Sequence, residues 1–359
     1  MLLSNAGLIA HGAPELAQTF RALVPVAVPL LLLAADLRRI LRDTGRLLAA
    51  FLLGAACTAA GTLLAAFLLP LGGALGDGGW RVGAALLARH IGGAVNYVAV
   101  AGALDVPAGL FGAGLAADDL ILTCYFAAIY ALARRIPPDD DGGGGGGGDG
   151  AAAEETDKQQ RQQAPKGAAA SSAPGPRPTI AVYEGTVALA LSVLICHLGT
   201  QLSAALGAPS QALTAITALS VAAATCAPRA LAPLAASGEG LAAVIMQTFF
   251  AAVGASADVG LVVRSAPVLF AFSAVALAGH LGLLLVVGRA LGFSRRELLL
   301  ASNANIGGPT TVAGMAAAKG WRSSLVPAVL VSTLGYALGS IVGLATGHWA
   351  LKPMMMVVR

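Results

Sequence analysis

The sequence has few charged residues, and this shortage excludes most classes of protein. Asp, Glu, Lys and Arg make up 11% of the 359 residues and aromatic residues 5%, whereas apolar residues make up 57%. A soluble domain has about 25% charged residues, and a soluble core cannot bury so large an apolar excess. The composition therefore excludes a soluble enzyme, a nucleic-acid-binding module and a disordered protein. The net charge of +4 is typical of the loops that flank membrane helices.

The sequence also lacks the motifs of enzymes, cofactor sites and metal sites. It contains no HExxH, GxSxG or Walker sequence. Its four cysteines are too widely spaced to form a metal-ligand set or a redox pair. We therefore expect no enzymatic activity, no cofactor, no metal centre and no nucleic-acid partner. Without an ATP-binding motif, any transport would be passive or driven by an ion gradient.

Long apolar runs are the main feature that is present. A transmembrane helix needs about 20 mostly apolar residues, and these runs are continuous rather than alternating, so they predict helices and not barrel strands. About ten helices, one more or less, are predicted on this criterion. The segments are 20–38, 47–76, 80–104, 107–133, 185–228 (two helices), 240–258, 265–288, 298–318 and 323–351. The predicted fold class is an all-α, polytopic membrane protein.

A polar stretch divides these segments into two halves. Residues 137–178 contain a glycine run together with Asp, Gln, Ser and Pro, a composition that predicts a disordered linker. We assign residues 1–136 to a first membrane repeat and 179–209 to a connecting helix. Residues 210–350 form the predicted second repeat, and 351–359 a C-terminal tail.

Three short patterns recur in the same order in both halves, which predicts a duplicated unit. Sequences around an Asp, around Ile-Gly-Gly and around Val-Pro-Ala match at 34–37 and 256–259, at 91–93 and 306–308, and at 106–108 and 326–328. Internal repeats are typical of secondary transporters, whose binding sites lie on helices interrupted at equivalent positions of the two halves.

The glycine pairs predict one broken helix in each repeat. Glycine weakens a helix, and proline removes an amide donor. The predicted breaks are at Gly92, Gly93, Gly307, Gly308 and Pro309.

Polar side chains cluster beside both predicted breaks. Asn96 follows the first, and Asn303, Asn305, Thr310 and Thr311 surround the second. Freed backbone groups in a bilayer must be satisfied by protein, water or ligand, so we predict that these side chains line a solute or ion site. The alternative is that the small residues serve close helix packing, with amide hydrogen bonds between helices.

Ionisable residues at membrane depth are the other candidates. Asp118 lies well inside the segment 107–133, where a carboxylate could bind Na⁺ or carry a proton, and Asp119 is adjacent. Alternatively, the helix begins late and the pair caps it at the surface.

Further candidates are Asp36, Asp258, Arg89, His90 and His280. Asp36 could instead form an ion pair at the interface. Arg89-His90 could neutralise Asp118 or face an anionic substrate, or it could extend toward the membrane surface. His280 could serve as a hydrogen-bond donor between helices.

The block Ala301–Ala313, with 317–321 and 335–339, closely resembles the C-terminal signature of the DUF819 integral membrane proteins. The stretches 30–39, 91–100 and 249–258 fit the same family. Family members tend to have Asp-Asn where this chain has Asp118-Asp119, and they usually have a further helix upstream of the first residues found here.

The resemblance implies a fold similar to the superfamily of cation–proton antiporters, bile-acid symporters and glutamate symporters. It therefore implies inverted repeats, crossed broken helices and alternating access. The expected function is ion-coupled transport of a small, anionic organic solute. The expected surroundings are a lipid bilayer, with a homodimer as one option, and a plastid membrane if the source is a plant or an alga. The alternative is a membrane structural or assembly protein that transports nothing.

Overall fold

The computed structural model describes residues 23, 25–69, 71–139, 180–208, 211–256 and 259–357. Regular structure within these ranges is helical throughout. In chain order the helices are α1 (25–32), α2 (Leu37–Asp43), α3 (Arg46–Leu68), α4 (Leu71–Leu75), α5 (Gly78–Gly92), α6 (Ala94–Ala103), α7 (Ala108–Ala133), α8 (Val182–Ala205), α9 (Ala212–Cys226), α10 (Pro228–Leu231), α11 (Ala235–Ser256), α12 (Val259–Ala290), α13 (Arg295–Ile306), α14 (Pro309–Ala318), α15 (Arg322–Thr346) and α16 (Lys352–Val357).

Six helical segments of the described chain are long and apolar enough to cross a bilayer. They are Arg46–Leu68, Ala108–Ala133, Val182–Ala205, Pro228–Thr248, Pro267–Ala290 and Arg322–Met355. An all-helical, multi-pass architecture follows, while the count of ten helices and the two repeats stay predictions.

The segment 80–104 does not cross as one helix, because the chain reverses direction at Gly93. Gly93 has φ 80° and ψ −175° and separates α5 from α6. The Arg81 guanidinium donates to the Leu104 carbonyl at 3.2 Å, although a straight helix would separate these residues by about 35 Å. Helices α5 and α6 therefore form an antiparallel pair, which we call the first hairpin (Gly78–Ala103).

Helices α13 and α14 form a matching second hairpin (Arg295–Ala318). The reversal occurs at Gly308, whose φ of 85° and ψ of −178° nearly equal those of Gly93. The Asn303 amide lies 3.3 Å from the Met315 sulfur, whereas a straight helix would place them about 18 Å apart. A residue with a side chain rarely adopts this backbone conformation, so glycine is required at both reversals.

The two hairpins enter the helical bundle from opposite ends. The first opens beside Trp80, whose ring lies 5.4 Å from that of His348 after α15. The second opens where Arg46, at the start of α3, bonds to Glu297 at 3.1 Å. Arg296 of the second hairpin donates to the Ser324 hydroxyl at the start of α15 at 2.8 Å, whereas His348 follows the end of α15, so the two openings lie at opposite ends of that helix.

A row of glycines on α15 lets the first hairpin pack closely against it. A Cβ on Gly335 would lie 2.7 Å from the Ile91 carbonyl oxygen, and one on Gly339 would lie 2.8 Å from that of Ala88. Real Cβ atoms essentially never come within 3.0 Å. The glycines thus hold the tip of the first hairpin directly against the α15 backbone.

Residues 137–139, which follow α7, are hydrogen-bonded to residues at the open end of the second hairpin. The Asp139 carboxylate accepts from the Ser323 amide at 2.8 Å and from Arg296, and Trp321 donates to the Pro137 carbonyl at 2.9 Å. Residues 137–139, which belong to the predicted linker, thereby contact both ends of this hairpin. The rest of the predicted linker, like residues 1–22, lies outside the described residues.

The Asp139 junction gives a testable pH dependence. The Arg296 guanidinium, followed by the Ser323 amide, holds the pKa of the Asp139 carboxyl below its ordinary value of 3.8. A lowered pKa stabilises the fold above the ordinary value, and this stabilisation is lost as the pH falls toward the lowered one. We expect Asp139→Asn to lower the thermal unfolding midpoint in detergent at pH 7, with the difference from wild type narrowing below about pH 4. Glu184→Gln, which removes a carboxylate at the start of α8, is the control. A difference that does not vary with pH would contradict the assignment.

Candidate functional site

The tips of the two hairpins lie against the same stretch of α15. The Asn96 amide, just after the first tip, donates to the carbonyl oxygens of Gly335 at 3.1 Å and Tyr336 at 3.0 Å. The Ser332 hydroxyl donates at 2.9 Å to the carbonyl of Ala304, just before the second tip. One helical turn of α15 therefore joins both tips inside the bundle.

The second tip is closed by its own polar side chains. The Thr311 hydroxyl lies 2.8 Å from the Asn303 carbonyl oxygen and 3.0 Å from the Gly308 carbonyl. Thr310, by contrast, is exposed. The side chains of Asn96, Asn303 and Thr311 are therefore hydrogen-bonded within the protein. The Thr310 side chain is exposed and is accessible to a solute.

Asn305 carries an unsatisfied acceptor at the base of the second tip. Its amide donates to the carbonyls of Phe51 at 3.1 Å and Ala301 at 2.9 Å. This orients the amide so that the carbonyl oxygen, which is fully buried, has no hydrogen-bond partner. Such a group costs about 1–3 kcal/mol, so it is a position at which water or a cation would be stabilised.

Arg89, His90, Asp118 and Asp119 form a charged cluster between the first hairpin and α7. The Asp118 carboxylate lies 2.8 Å from His90 Nε2 and 2.7 Å from Arg89 Nε, and Arg89 also pairs with Asp119. Asp118 is 0% exposed and the Arg89 side chain 5%, while Asp119 is 60% exposed. Asp118 lies in the middle of α7 rather than at a helix cap. The structure pairs it with Arg89 and His90, which is one of the arrangements that the sequence allowed.

His280 belongs to a separate buried network. Its Nδ1 lies 2.8 Å from the Thr58 hydroxyl and its Nε2 lies 2.9 Å from the Ser302 hydroxyl, which also bonds to Tyr125. Thr58 donates in turn to the Gly54 carbonyl at 2.9 Å. Thr58 and Tyr125 are not among the site residues predicted from the sequence. Their only signal is a polar group inside an apolar run.

Of the two remaining acidic candidates, Asp36 caps a helix and Asp258 falls outside the residues that the structure describes. Asp36 is the N-cap of α2, where its carboxylate accepts the Arg38 amide at 3.0 Å. Asp258 lies outside the described residues. Over the part of the chain that the structure describes, no group of three His, Cys, Asp or Glu residues could hold a metal ion.

Comparisons with known proteins agree with this architecture. Residues 1–353 match the family described as "Protein of unknown function (DUF819)". The chain is 31% identical over 354 residues to "Uncharacterized membrane protein YjcL" of Bacillus subtilis (strain 168), covering 97% of this chain and 87% of that protein. No solved structure matches the chain. The apolar helices and these similarities together show that the chain is an integral, multi-pass membrane protein and belongs to the DUF819 family.

Proposed function

We propose that the protein is a secondary transporter that moves a small organic anion by alternating access, coupled to Na⁺ or H⁺. The observation that carries the proposal is the pair of hairpins, which open to opposite ends and place equivalent glycine reversals beside the same turn of α15. Two oppositely oriented units of helix, hairpin and helix, α3–α7 and α12–α15, would form an inverted repeat of the kind found in transporters.

Helix ends at the tips favour an anionic solute. Helices α6 and α14 begin at Ala94 and Pro309, and their N-cap glycines have no side chain to cap the first turn. The amides of these first turns, apart from Pro309, which has none, would attract an anion. Asp119 is 60% exposed although it lies within the apolar helix α7, and a charge at membrane depth is tolerated best in a water-filled cavity.

The alternative is a structural membrane protein in which the glycines serve packing only. The close approach of α5 to Gly335 and Gly339 favours it, since small residues drive helix association in bilayers. Packing alone, however, leaves the unpaired Asn305 oxygen and the buried charged cluster without a role.

Reconstituted vesicles test the proposal. We expect purified protein in liposomes to accumulate one or more members of a panel of labelled carboxylates and phosphates under a Na⁺ or proton gradient. Thr310→Trp should abolish this uptake by filling the space beside the second tip, because Thr310 is exposed. Val326→Trp, at a side chain that is 52% exposed on α15, should leave it unchanged. Uptake no greater than in protein-free liposomes across the panel would refute transport.

A further inference from the structure

We propose that the coupling ion is a proton, taken up on Nδ1 of His90 and held against Asp118 between the first hairpin and α7. This inference rests on the proposed transport function. It identifies the ion and the atom that binds it.

The two ring nitrogens of His90 have different surroundings. Nε2 lies 2.8 Å from the Asp118 carboxylate; an ionised carboxylate only accepts hydrogen bonds, so Nε2 carries a hydrogen. Nδ1 is buried and has no hydrogen-bond partner. In the neutral ring this nitrogen has a free lone pair, and it is therefore the atom to which a further proton binds.

His280, the other buried histidine nearby, cannot serve in the same way. The Thr58 hydroxyl lies 2.8 Å from His280 Nδ1, and the Ser302 hydroxyl lies 2.9 Å from Nε2. A neutral ring donates from one nitrogen and accepts at the other, and a hydroxyl can take either role. Both nitrogens of His280 therefore already have hydrogen-bond partners, unlike His90 Nδ1.

With a neutral His90, the cluster has a net charge of −1, and one added proton would neutralise it. Arg89 is the fixed positive charge facing two carboxylates, Asp118 and Asp119. Among the residues that the structure describes, the other polar groups that face the cluster are Tyr97 of α6, whose ring lies 5.9 Å from the Arg89 guanidinium, Thr58 of α3, and Ser273 and His280 of α12. The three hydroxyl groups carry no charge. With Nδ1 protonated, the cluster becomes neutral.

The groups around Asp118 disfavour a sodium ion. Oδ1 is hydrogen-bonded to His90 Nε2 at 2.8 Å, and Oδ2 lies 2.7 Å from Arg89 Nε in a charge contact without hydrogen-bond geometry. Alkali and alkaline-earth cations require oxygen ligands, and the guanidinium repels them. A proton needs only the lone pair on Nδ1.

Proton binding at this position would act directly on the first hairpin. His90 lies three residues before Gly93, where the hairpin reverses, whereas Asp118 lies on the spanning helix α7. An imidazolium is attracted to Asp118 more strongly than a neutral ring is. Protonation would therefore fasten the hairpin to α7, and deprotonation would release it.

The proton site is tested by nitrogen NMR of the full chain, labelled with ¹⁵N-histidine and reconstituted in liposomes. With spectra recorded from about pH 5 to pH 9, we expect an imidazolium resonance in the acidic samples that is absent in His90→Gln and shifted in Asp118→Asn. His197→Gln, at an exposed site on α8, removes a different resonance and is the control. A His90 ring that stays neutral throughout this range would overturn the inference.

Flux measurements separate failure of the inference from failure of the proposed function. Acceleration of uptake by a proton gradient, lost in His90→Gln and kept in His197→Gln, supports both. Uptake driven by Na⁺ and insensitive to pH would overturn the proton while leaving transport intact. Absence of uptake under every gradient would refute transport and with it the coupling role, whatever the NMR titration shows.

Discussion

An Arg89→Leu variant is expected to lose about 3–5 kcal/mol of folding stability, because it leaves the Asp118 carboxylate buried without its guanidinium partner. Asp118 is 0% exposed and lies 2.7 Å from Arg89 Nε, so water cannot replace the lost cation without opening the packing between α5 and α7. The effect is measurable as a fall in the thermal unfolding midpoint in detergent, followed by size-exclusion chromatography.

A second substitution distinguishes this electrostatic effect from lost packing. Adding Asp118→Asn to Arg89→Leu removes the uncompensated charge, while the asparagine still accepts a hydrogen bond from His90. The double variant should therefore recover most of the lost stability. A double variant no more stable than Arg89→Leu alone would show that the guanidinium contributes packing rather than charge compensation.

Gly92→Ala should destabilise the first hairpin, because the added methyl group clashes with α15. Its Cβ would overlap the Gly335 carbonyl oxygen and the Asn96 amide, and the carbonyl belongs to the backbone of α15 and cannot rotate away. Overpacking of this kind costs about 1–3 kcal/mol and sometimes more. Alanine has a higher helix propensity than glycine by about 1 kcal/mol, so the net loss is expected to be somewhat smaller.

Gly102→Ala is the matched control on the same hairpin. It lies in α6 with no atom within 4 Å of its added Cβ, so only the helix propensity changes and the variant should be as stable as wild type or slightly more so. If both variants change the unfolding midpoint by the same amount, close contact between the hairpin tip and α15 is not what requires glycine at position 92.

The positions of the helix breaks were predictable from local sequence, but their geometry was not. Glycine pairs at 92–93 and 307–308 are weak points of any helix. A weak point can kink a helix or reverse it. Reversal is selected here by contacts far along the chain, such as Arg81 with Leu104 and Asn96 with Gly335.

For the candidate site, too, the residues were predictable from the sequence but their geometry was not. Arg89, His90, Asp118 and Asp119 were nominated because charges are costly in a bilayer. The pairing of Arg89-His90 with Asp118 was one of the options that the sequence left open. Nothing in the sequence indicates that His90 Nδ1 has no hydrogen-bond partner while both nitrogens of His280 have one. Thr58 and Tyr125 could not be distinguished from other polar residues in apolar runs.

Composition by itself determined that this protein is helical and lies in a membrane, because 57% apolar residues in long runs can be buried only by lipid and by one another. The local sequence also located the helix breaks and the charged residues within apolar segments, because these depend on single residues and their neighbours. Only the tertiary structure decided that both interrupted segments fold back, that their tips meet on α15, and that a histidine and an arginine share one aspartate. These features depend on contacts between residues distant in sequence, whose free energy exists only once the helices are packed.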